Sequence, residues 1–146
     1  MRRAGRGDVD PVVRLLRDFY AEDGYPFDAG RAADAVSRLI GDESLGAIWV
    51  ADPGDGPVGY AALTLGFSLE YMGRDGFVDD LFLEPNWRGR GLGRALLDRL
   101  VMEAVAMGVR ALHLEVGREK ASARALYRRA GFTDHDRILM TRDLID

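Results

Sequence analysis

The sequence predicts one mixed α/β domain, and three observations carry this prediction. The chain has 146 residues, a length that suits one hydrophobic core. The spacing of apolar residues changes several times between the helical period and the strand period. No repeat, low-complexity segment or linker interrupts the order, which is two helices, three antiparallel strands, a helix, a strand, a helix and a terminal strand region. We therefore expect residues 1–146 to form a single domain.

Two helices are predicted at the start of the chain. Asp10-Pro11 is typical of a helix start, because aspartate accepts from free N–H groups and proline suits the first turn. Apolar residues at helical spacing follow, and Gly24 is expected to end this helix. Asp28 opens a second, shorter helical pattern that Gly41 ends.

The pattern then changes to strands. Residues 47–51 and 58–67 are separated by the turn sequence Pro-Gly-Asp-Gly, which predicts an antiparallel hairpin. Residues 73–76 are a further turn signal, and residues 77–83 follow as a third strand that ends at Glu84-Pro85.

The second half of the chain alternates helices and strands. The longest helical pattern covers 91–107, and it is followed by a strand over 110–116 and a helix over 119–130 that Gly131 closes. One or two short strands are expected after Phe132.

Composition excludes several classes of protein. The net charge is −4, which argues against nucleic acid as the main partner, and no apolar run is long enough to span a membrane. The first ten residues lack the apolar segment of a secretory signal. Cysteine is absent, which excludes disulfides, thiolate metal sites and a cysteine nucleophile. We expect a cytoplasmic protein without a metal.

Charge is unevenly distributed along the chain. Residues 1–85 hold 8 basic and 16 acidic side chains, whereas residues 86–130 hold 10 basic and 4 acidic ones. This partition is explained either by separate surfaces for an anion and for a cation, or by scattered surface charge.

The densest functional signal is a glycine-rich loop between a strand and the long helix. Its glycines allow close backbone approach, the helix N-terminus adds partial positive charge, and its arginines add donors, which together favour phosphate binding. The alternative is a tight turn with solvated arginines. A dinucleotide fingerprint fails because its last glycine is replaced by Arg94, and the Gly-Lys-Ser/Thr of a Walker loop is missing. The loop residues are Arg88, Gly89, Arg90, Gly91, Leu92, Gly93 and Arg94.

This loop resembles the acetyl-CoA signature of the GNAT (GCN5-related) N-acetyltransferases. Arg88-x-x-Gly91-x-Gly93 has the form R/Q-x-x-G-x-G/A of that family. The strand over 79–85, the Ala-x-x-Leu-Tyr helix over 123–127 and the following Gly131-Phe132 also match, so the resemblance covers nearly the whole chain. It implies the GNAT fold: a mostly antiparallel twisted sheet, splayed between its fourth and fifth strands and flanked by about four helices.

The resemblance implies an acetyl-CoA site. The strand over 79–85 sits where the family has its fourth strand, and a bulge in that strand would open the gap for the pantetheine arm. The arm would pair with the backbones of Leu81, Phe82 and Leu83. Residues 89–94 would hold the pyrophosphate. Many family members carry asparagine where this chain has Lys120, which could instead reach a phosphate.

The resemblance also implies the catalytic groups. Tyr127 occupies the usual position of the general acid, although it could simply pack beside its neighbours on the last helix. For the base, Asp79 and Glu115 match acidic positions of relatives, and His113 is a third choice. Asp79 could equally be half of a solvated pair with Asp80. Without cysteine, direct transfer in a complex of both substrates is the simplest scheme.

Acceptor sites in this family are lined by the first two helices, their connection and the turn between strands three and four. These stretches mix aromatic rings with carboxylates, which favours a small cationic amine, although the rings could instead pack the connection. The alternatives are an acyl-CoA-binding sensor without turnover and an acetyltransferase acting on a protein or peptide amine. Whether the chain forms a homodimer stays open. The candidate acceptor residues are Tyr20, Glu22, Tyr25, Phe27, Glu70 and Tyr71.

Overall fold

The computed structural model describes residues 1–145, and these divide into two compact units, Met1–Glu115 and a second unit that begins at Val116. The helices are α1 (Val9–Asp23), α2 (Ala29–Gly41), α3 (Leu92–Ala106) and α4 (Ala121–Arg129). The strands are β1 (Arg2–Arg3), β2 (Gly46–Ala51), β3 (Gly59–Ser68), β4 (Gly73–Leu83) and β5 (Ala111–His113). The mixed α/β prediction is confirmed.

Helix α1 ends, and helix α2 begins, at the residues that capping chemistry predicts. Gly24 follows α1 with φ of 71°, a left-handed conformation that glycine adopts at little cost. The Asp28 carboxylate accepts a hydrogen bond from the Arg31 N–H at 3.0 Å and so caps α2. α1 begins slightly earlier than predicted, at Val9, directly after a 3-10 turn over Arg6–Asp8.

The first unit contains one five-stranded sheet in the order β1-β2-β3-β4-β5. The first four strands pair antiparallel, and β5 pairs with β4 in parallel. Strand β1 was not predicted, because two consecutive arginines carry no strand pattern. It is fixed by pairing with Trp49 and Val50 of β2.

Strand β4 contains a β-bulge at Asp79. Ala62 of β3 lies opposite Asp80 and Leu63 lies opposite Val78, so one residue of β4 has no partner on β3. A bulge of this kind shifts the alternation of the strand by one residue. The side chain of Asp80 therefore shares a face with Phe82, Tyr60 and Ala62.

Helices cover both faces of this sheet. On one face, Tyr60, Ala62 and Phe82 pack in a cluster with Val12 and Leu15 of α1 and with residues of α2. On the other face lies α3, which contacts β2, β3 and β4. Burial of apolar surface on both faces fixes the position of β4, which carries the candidate site.

The second unit contains α4 and the residues after it. Gly131 has φ of 98° after the helix, and the Tyr127 and Phe132 rings meet edge to face with centroids 6.1 Å apart. Arg124 and Arg128 both donate to Asp134. The prediction of strands after Phe132 is wrong for residues 132–145, which form none. Alternating apolar residues do not make a strand without a partner for their backbone groups.

No helix within residues 1–145 combines the length and the apolar character that crossing a bilayer requires.

Candidate active site

The bulge turns backbone groups of β4 toward an open sheet edge. The Glu84 N–H donates to the Val58 carbonyl at 2.9 Å, so after the bulge the residues of β4 that bond to β3 are Asp80 and Phe82. The amides of Leu81 and Leu83 face away from β3. Of the three residues expected to pair with a pantetheine arm, these two therefore present backbone groups at the open edge.

The open edge exists because β5 separates from β4. β5 pairs only with residues 75–77 of β4, before the bulge, and ends at His113. Beyond this point β5 does not cover the edge of β4, so the N–H groups of Leu81 and Leu83 face a gap in which an extended ligand can accept from them. The splay between strands four and five is thus present where the resemblance implies it.

The strand edge continues into the glycine-rich loop and the start of α3. Gly89 and Gly91 have φ of 75° and 81°, which favours glycine, and a Cβ at either position would meet open space. Gly91 is the N-cap of α3 and has no side chain to accept from the first N–H groups of the helix. These donors and the partial positive charge of the helix end fit a phosphate.

Arg88 points to the strand and not to the start of α3. Its Nε donates to the Leu83 carbonyl at 2.9 Å, and its Nη2 donates to Glu22 at 2.7 Å. The guanidinium also lies over the Phe82 ring, 5.4 Å from the centroid. Arg88 therefore fastens the loop to the outer edge of β4 and to the end of α1.

The other two arginines of the loop are exposed. Arg90 lies over the Trp87 ring at 4.9 Å, and Arg94 forms an ion pair with Asp98 one turn further along α3 at 2.8 Å. Exposed ring–cation contacts and exposed ion pairs are both weak, so Arg90 and Arg94 can turn to an anionic ligand at small cost.

Two adjacent acids, Asp79 and Asp80, lie at the bulge beside Tyr60. The Tyr60 hydroxyl donates to the Asp80 carboxylate at 2.7 Å, and Tyr60 is 1% exposed. Burial and the neighbouring Asp79 raise the pKa of Asp80 to about 7, although the Tyr60 hydrogen bond lowers it. Asp79 has an exposed side chain by area, yet enough protein surrounds it that desolvation raises its pKa.

One candidate acceptor residue of α1, Tyr20, lies near this pair. Burial, followed by the charges of Asp80 and Asp79, raises the pKa of Tyr20 to about 12. The Tyr20 ring meets Tyr25 edge to face, with centroids 6.0 Å apart. Among the other acceptor candidates, Glu22 is bound to Arg88 and Phe27 is half-buried in the connection to α2.

The remaining candidates of the first unit are placed elsewhere. Tyr71 is half-buried in the turn between β3 and β4, where its ring is 5.5 Å from that of His113, and Glu70 beside it is exposed. His113 Nε2 is 3.3 Å from Asp75, which makes His113 part of a structural contact. Glu115 is exposed beyond the end of β5.

Lys120 and Tyr127 belong to the second unit. Lys120 is the N-cap residue of α4, and Tyr127 is half-buried in the last turns of that helix. Two arginines in the final turn of α4 add positive charge to this unit.

The sequence alone does not identify two residues of this site. It indicates Asp80 only as half of a solvated pair with Asp79, and Tyr60 is one apolar-flanked tyrosine in a strand. A signal was present: the adjacent acids in the middle of an apolar strand mark the place where regular alternation fails. Within residues 1–145 no group of three acidic, histidine or cysteine side chains is arranged to hold a metal.

An open strand edge that leads to a glycine-rich helix start defines a protein that binds an extended ligand ending in phosphates. The chain belongs to the acetyltransferase (GNAT) family, whose model matches residues 11–132. Acetyl-CoA is the acetyl donor of this family, and the open edge and uncapped helix start fit its pantetheine and pyrophosphate groups.

Individual relatives agree with this assignment. The chain is 35% identical to the IAA acetyltransferase of Azospirillum brasilense over 127 residues, which are 86% of this chain and 78% of the relative. It is 28% identical to the thialysine N-epsilon-acetyltransferase of Bos taurus over 144 residues, 92% of this chain and 84% of the relative. The crystal structure of the integron cassette protein HFX_CASS3, from the mobile metagenome of Cole Harbour Salt Marsh, superposes with a TM-score of 0.89 at 43% identity, covering 99% of this chain and 90% of that protein.

Proposed function

We propose that this acetyltransferase transfers the acetyl group of acetyl-CoA to the primary amine of a small cationic molecule, with residues 1–146 acting as one domain. The observation that carries the proposal is the bulge at Asp79. Together with the end of β5 at His113, it leaves the amides of Leu81 and Leu83 on the outer edge of β4, which supports a donor site there. It also leaves Asp80 beside Tyr60 on the face toward α1, which supports an acceptor site.

The proposed donor site runs along β4 into α3. The amides of Leu81 and Leu83 would pair with the pantetheine arm, and an N–H at this edge would stabilise negative charge on the thioester oxygen. The N-terminus of α3, with Gly89 to Arg94, would hold the pyrophosphate. When bound, acetyl-CoA supplies an activated acetyl thioester. Lys120 is an additional candidate for a phosphate contact.

The proposed acceptor site uses charge and aromatic surface together. Asp79 and Asp80 lie near Tyr20, which packs against Tyr25, so a cationic amine with apolar length would gain both charge attraction and ring contact. The bovine relative acts by its name on thialysine Nε, a small amine, which supports this class of acceptor. Glu22, Phe27, Glu70 and Tyr71 are further candidates for lining residues.

The proposed reaction is direct attack. The nitrogen of the neutral amine forms a bond to the acetyl carbon, the carbon–sulfur bond breaks, the nitrogen loses one N–H proton, and CoA leaves as a thiol. Tyr127 is proposed to give the sulfur its proton, as the family resemblance implies, and to regain a proton from solvent, which takes up the one that the nitrogen loses. The chain has no cysteine that could carry the acetyl group in between.

Thermal unfolding with and without CoA tests the donor site. At CoA concentrations about 100 times Kd, a ligand that binds only the native state adds about 2.7 kcal/mol of stability. For a chain of this size that is a rise in Tm of roughly 5 to 10 °C. Absence of any rise at saturating CoA contradicts the proposal.

Thiol release from acetyl-CoA, measured over a panel of amines, tests the acceptor class. The panel pairs each cationic amine, such as a diamine or thialysine, with a neutral amine of equal length, and includes a peptide N-terminus. We expect the cationic members to react faster. Turnover only with the peptide would indicate a protein acetyltransferase. CoA binding without turnover on any member would indicate an acyl-CoA sensor.

A further inference from the structure

The hydrogen-bonded pair of Tyr60 and Asp80 is not explained by packing. Tyr60 is enclosed in the core between the sheet and α1, yet its hydroxyl points to a carboxylate on the neighbouring strand. Asp80 lies on that same face, only partly buried, directly after the bulge. A carboxylate in such a place costs stability, because desolvation disfavours its charged form, and a functional role would explain why it is there.

The surroundings of Asp80 suit proton transfer. The titratable groups that face it are Tyr60 from β3, Tyr20 from α1 and Asp79 from its own strand. Asp79 disfavours a second negative charge close by, whereas the Tyr60 hydroxyl stabilises the carboxylate by donating to it. These opposing effects hold Asp80 where it can both accept and release a proton near neutral pH.

We propose that Asp80, positioned by Tyr60, accepts the proton that the acceptor amine must lose before it attacks; this inference rests on the proposed function. The N–H bond of the ammonium breaks, the proton goes to a carboxylate oxygen of Asp80, and the nitrogen keeps the electron pair that forms the new bond to carbon. Asp80 then returns the proton to solvent as the product leaves. Asp79 and Glu115, both more exposed, are the competing candidates.

Asp80→Asn is the first variant, because the amide keeps the shape of the side chain and still accepts from Tyr60. We expect kcat/KM at pH 7 to fall by about 10²-fold or more. The loss should shrink as pH rises toward the pKa of the amine, because a neutral amine needs no base. Asp55→Asn, in the exposed turn between β2 and β3, removes the same charge away from the site and should keep the wild-type rate.

Tyr60→Phe tests whether Tyr60 positions Asp80 or only packs in the core. Loss of the hydroxyl removes a hydrogen bond that lowers the pKa of Asp80. The rising limb of the pH–rate profile should therefore move to higher pH, while the plateau rate changes little. A purely structural tyrosine would lower stability without moving that limb. A CoA-induced rise in Tm confirms that each variant is folded.

A second readout does not need turnover. Carbon-detected NMR of the Asp80 carboxyl, followed from pH 4 to 9, should show a midpoint near 7 in the wild type and a higher midpoint in Tyr60→Phe. If the wild type turns over while Asp80→Asn keeps its rate and pH profile, this inference is wrong and the acetyltransferase proposal stands. If no amine is acetylated, the proposed function fails, and the NMR midpoint then reports only an unused buried acid, which also rejects the inference.

Discussion

The guanidinium of Arg88 donates its Nε hydrogen to the carbonyl of Leu83, 2.9 Å away, and so ties the glycine-rich loop to the open edge of β4. The arginine of the sequence signature thus shapes the site through the protein backbone. Any direct contact with phosphate would come in addition to this one.

Arg88→Ala should weaken CoA binding and stability together. It removes a charge-assisted hydrogen bond and a contact with the Phe82 ring, which are worth about 2 to 3 kcal/mol in sum. We expect a fall in Tm of about 5 to 10 °C and a rise in the CoA Kd of about tenfold, measured by thermal unfolding and calorimetry. Glu22→Gln is the control. It weakens only the exposed ion pair to Arg88, so its effects should be much smaller. Equal effects of both variants would argue against the contact to Leu83.

Gly91→Ala should destabilise the start of α3. A Cβ at Gly91 meets open space, so the cost arises from the left-handed backbone at φ of 81° and amounts to about 1 to 2 kcal/mol. Both Tm and CoA affinity should fall. Gly41→Ala lies in the last turn of α2, without a positive φ and with open space for the Cβ, and should slightly raise Tm. Thermal denaturation should thus show a lower Tm for Gly91→Ala and a slightly higher Tm for Gly41→Ala. This opposite change distinguishes backbone strain at Gly91 from a general effect of replacing glycine.

Tyr127→Phe tests the proposed acid. If the phenol gives the thiol its proton, kcat should fall by about 10²-fold while the CoA Kd stays within a factor of two or so. Thiol-release kinetics and calorimetry measure the two quantities. Wild-type kcat with wild-type affinity would exclude the role, and a parallel loss of Tm would point to packing against Phe132.

Asp8→Asn should change how stability depends on pH. Asp8 accepts two hydrogen bonds from Arg2, at 2.8 and 2.9 Å, and one from the Gly5 N–H, which together hold the pKa of Asp8 below its usual range. Because the folded pKa lies below the unfolded one, the stabilisation is present above about pH 4 and is lost as pH falls through the folded pKa. The variant should lose about 2 kcal/mol at pH 7, and the difference from wild type should shrink below pH 4 in urea titrations.

Asp80 should show the opposite dependence. Its folded pKa of about 7 lies above the unfolded value, so its contribution to stability is largest at low pH and is lost as pH rises from about 4 through 7. Asp80→Asn has no such charge to bury and should exceed the wild type in Tm by about 2 to 5 °C at pH 8. A lower Tm for the variant at pH 8 would mean that a cation balances the carboxylate.

The sequence allowed the elements to be predicted where capping and apolar spacing agree, as at Asp28, Gly24 and the glycine-rich loop. It did not allow β1, because Arg2 and Arg3 are strand residues only through their pairing with β2. The adjacent acids Asp79 and Asp80 mark where the alternation of β4 fails, but the bond from Tyr60 to Asp80 depends on the register between two strands, which local pattern does not encode. The prediction of strands after Phe132 is wrong for a related reason, because apolar alternation does not show whether a segment has a neighbouring strand to pair with.

The bulge at Asp79 decides which residues of β4 bond to β3. Before the bulge, the carbonyl of Arg74 accepts from Arg110 and so faces away from β3, whereas after it the Glu84 N–H bonds to Val58 on the β3 side. An uninterrupted strand of the same parity would therefore turn Asp80 and Phe82 to the outer edge and Leu81 and Leu83 toward β3. The outward position of the two leucine amides thus depends on one irregular backbone residue and not on the leucine side chains.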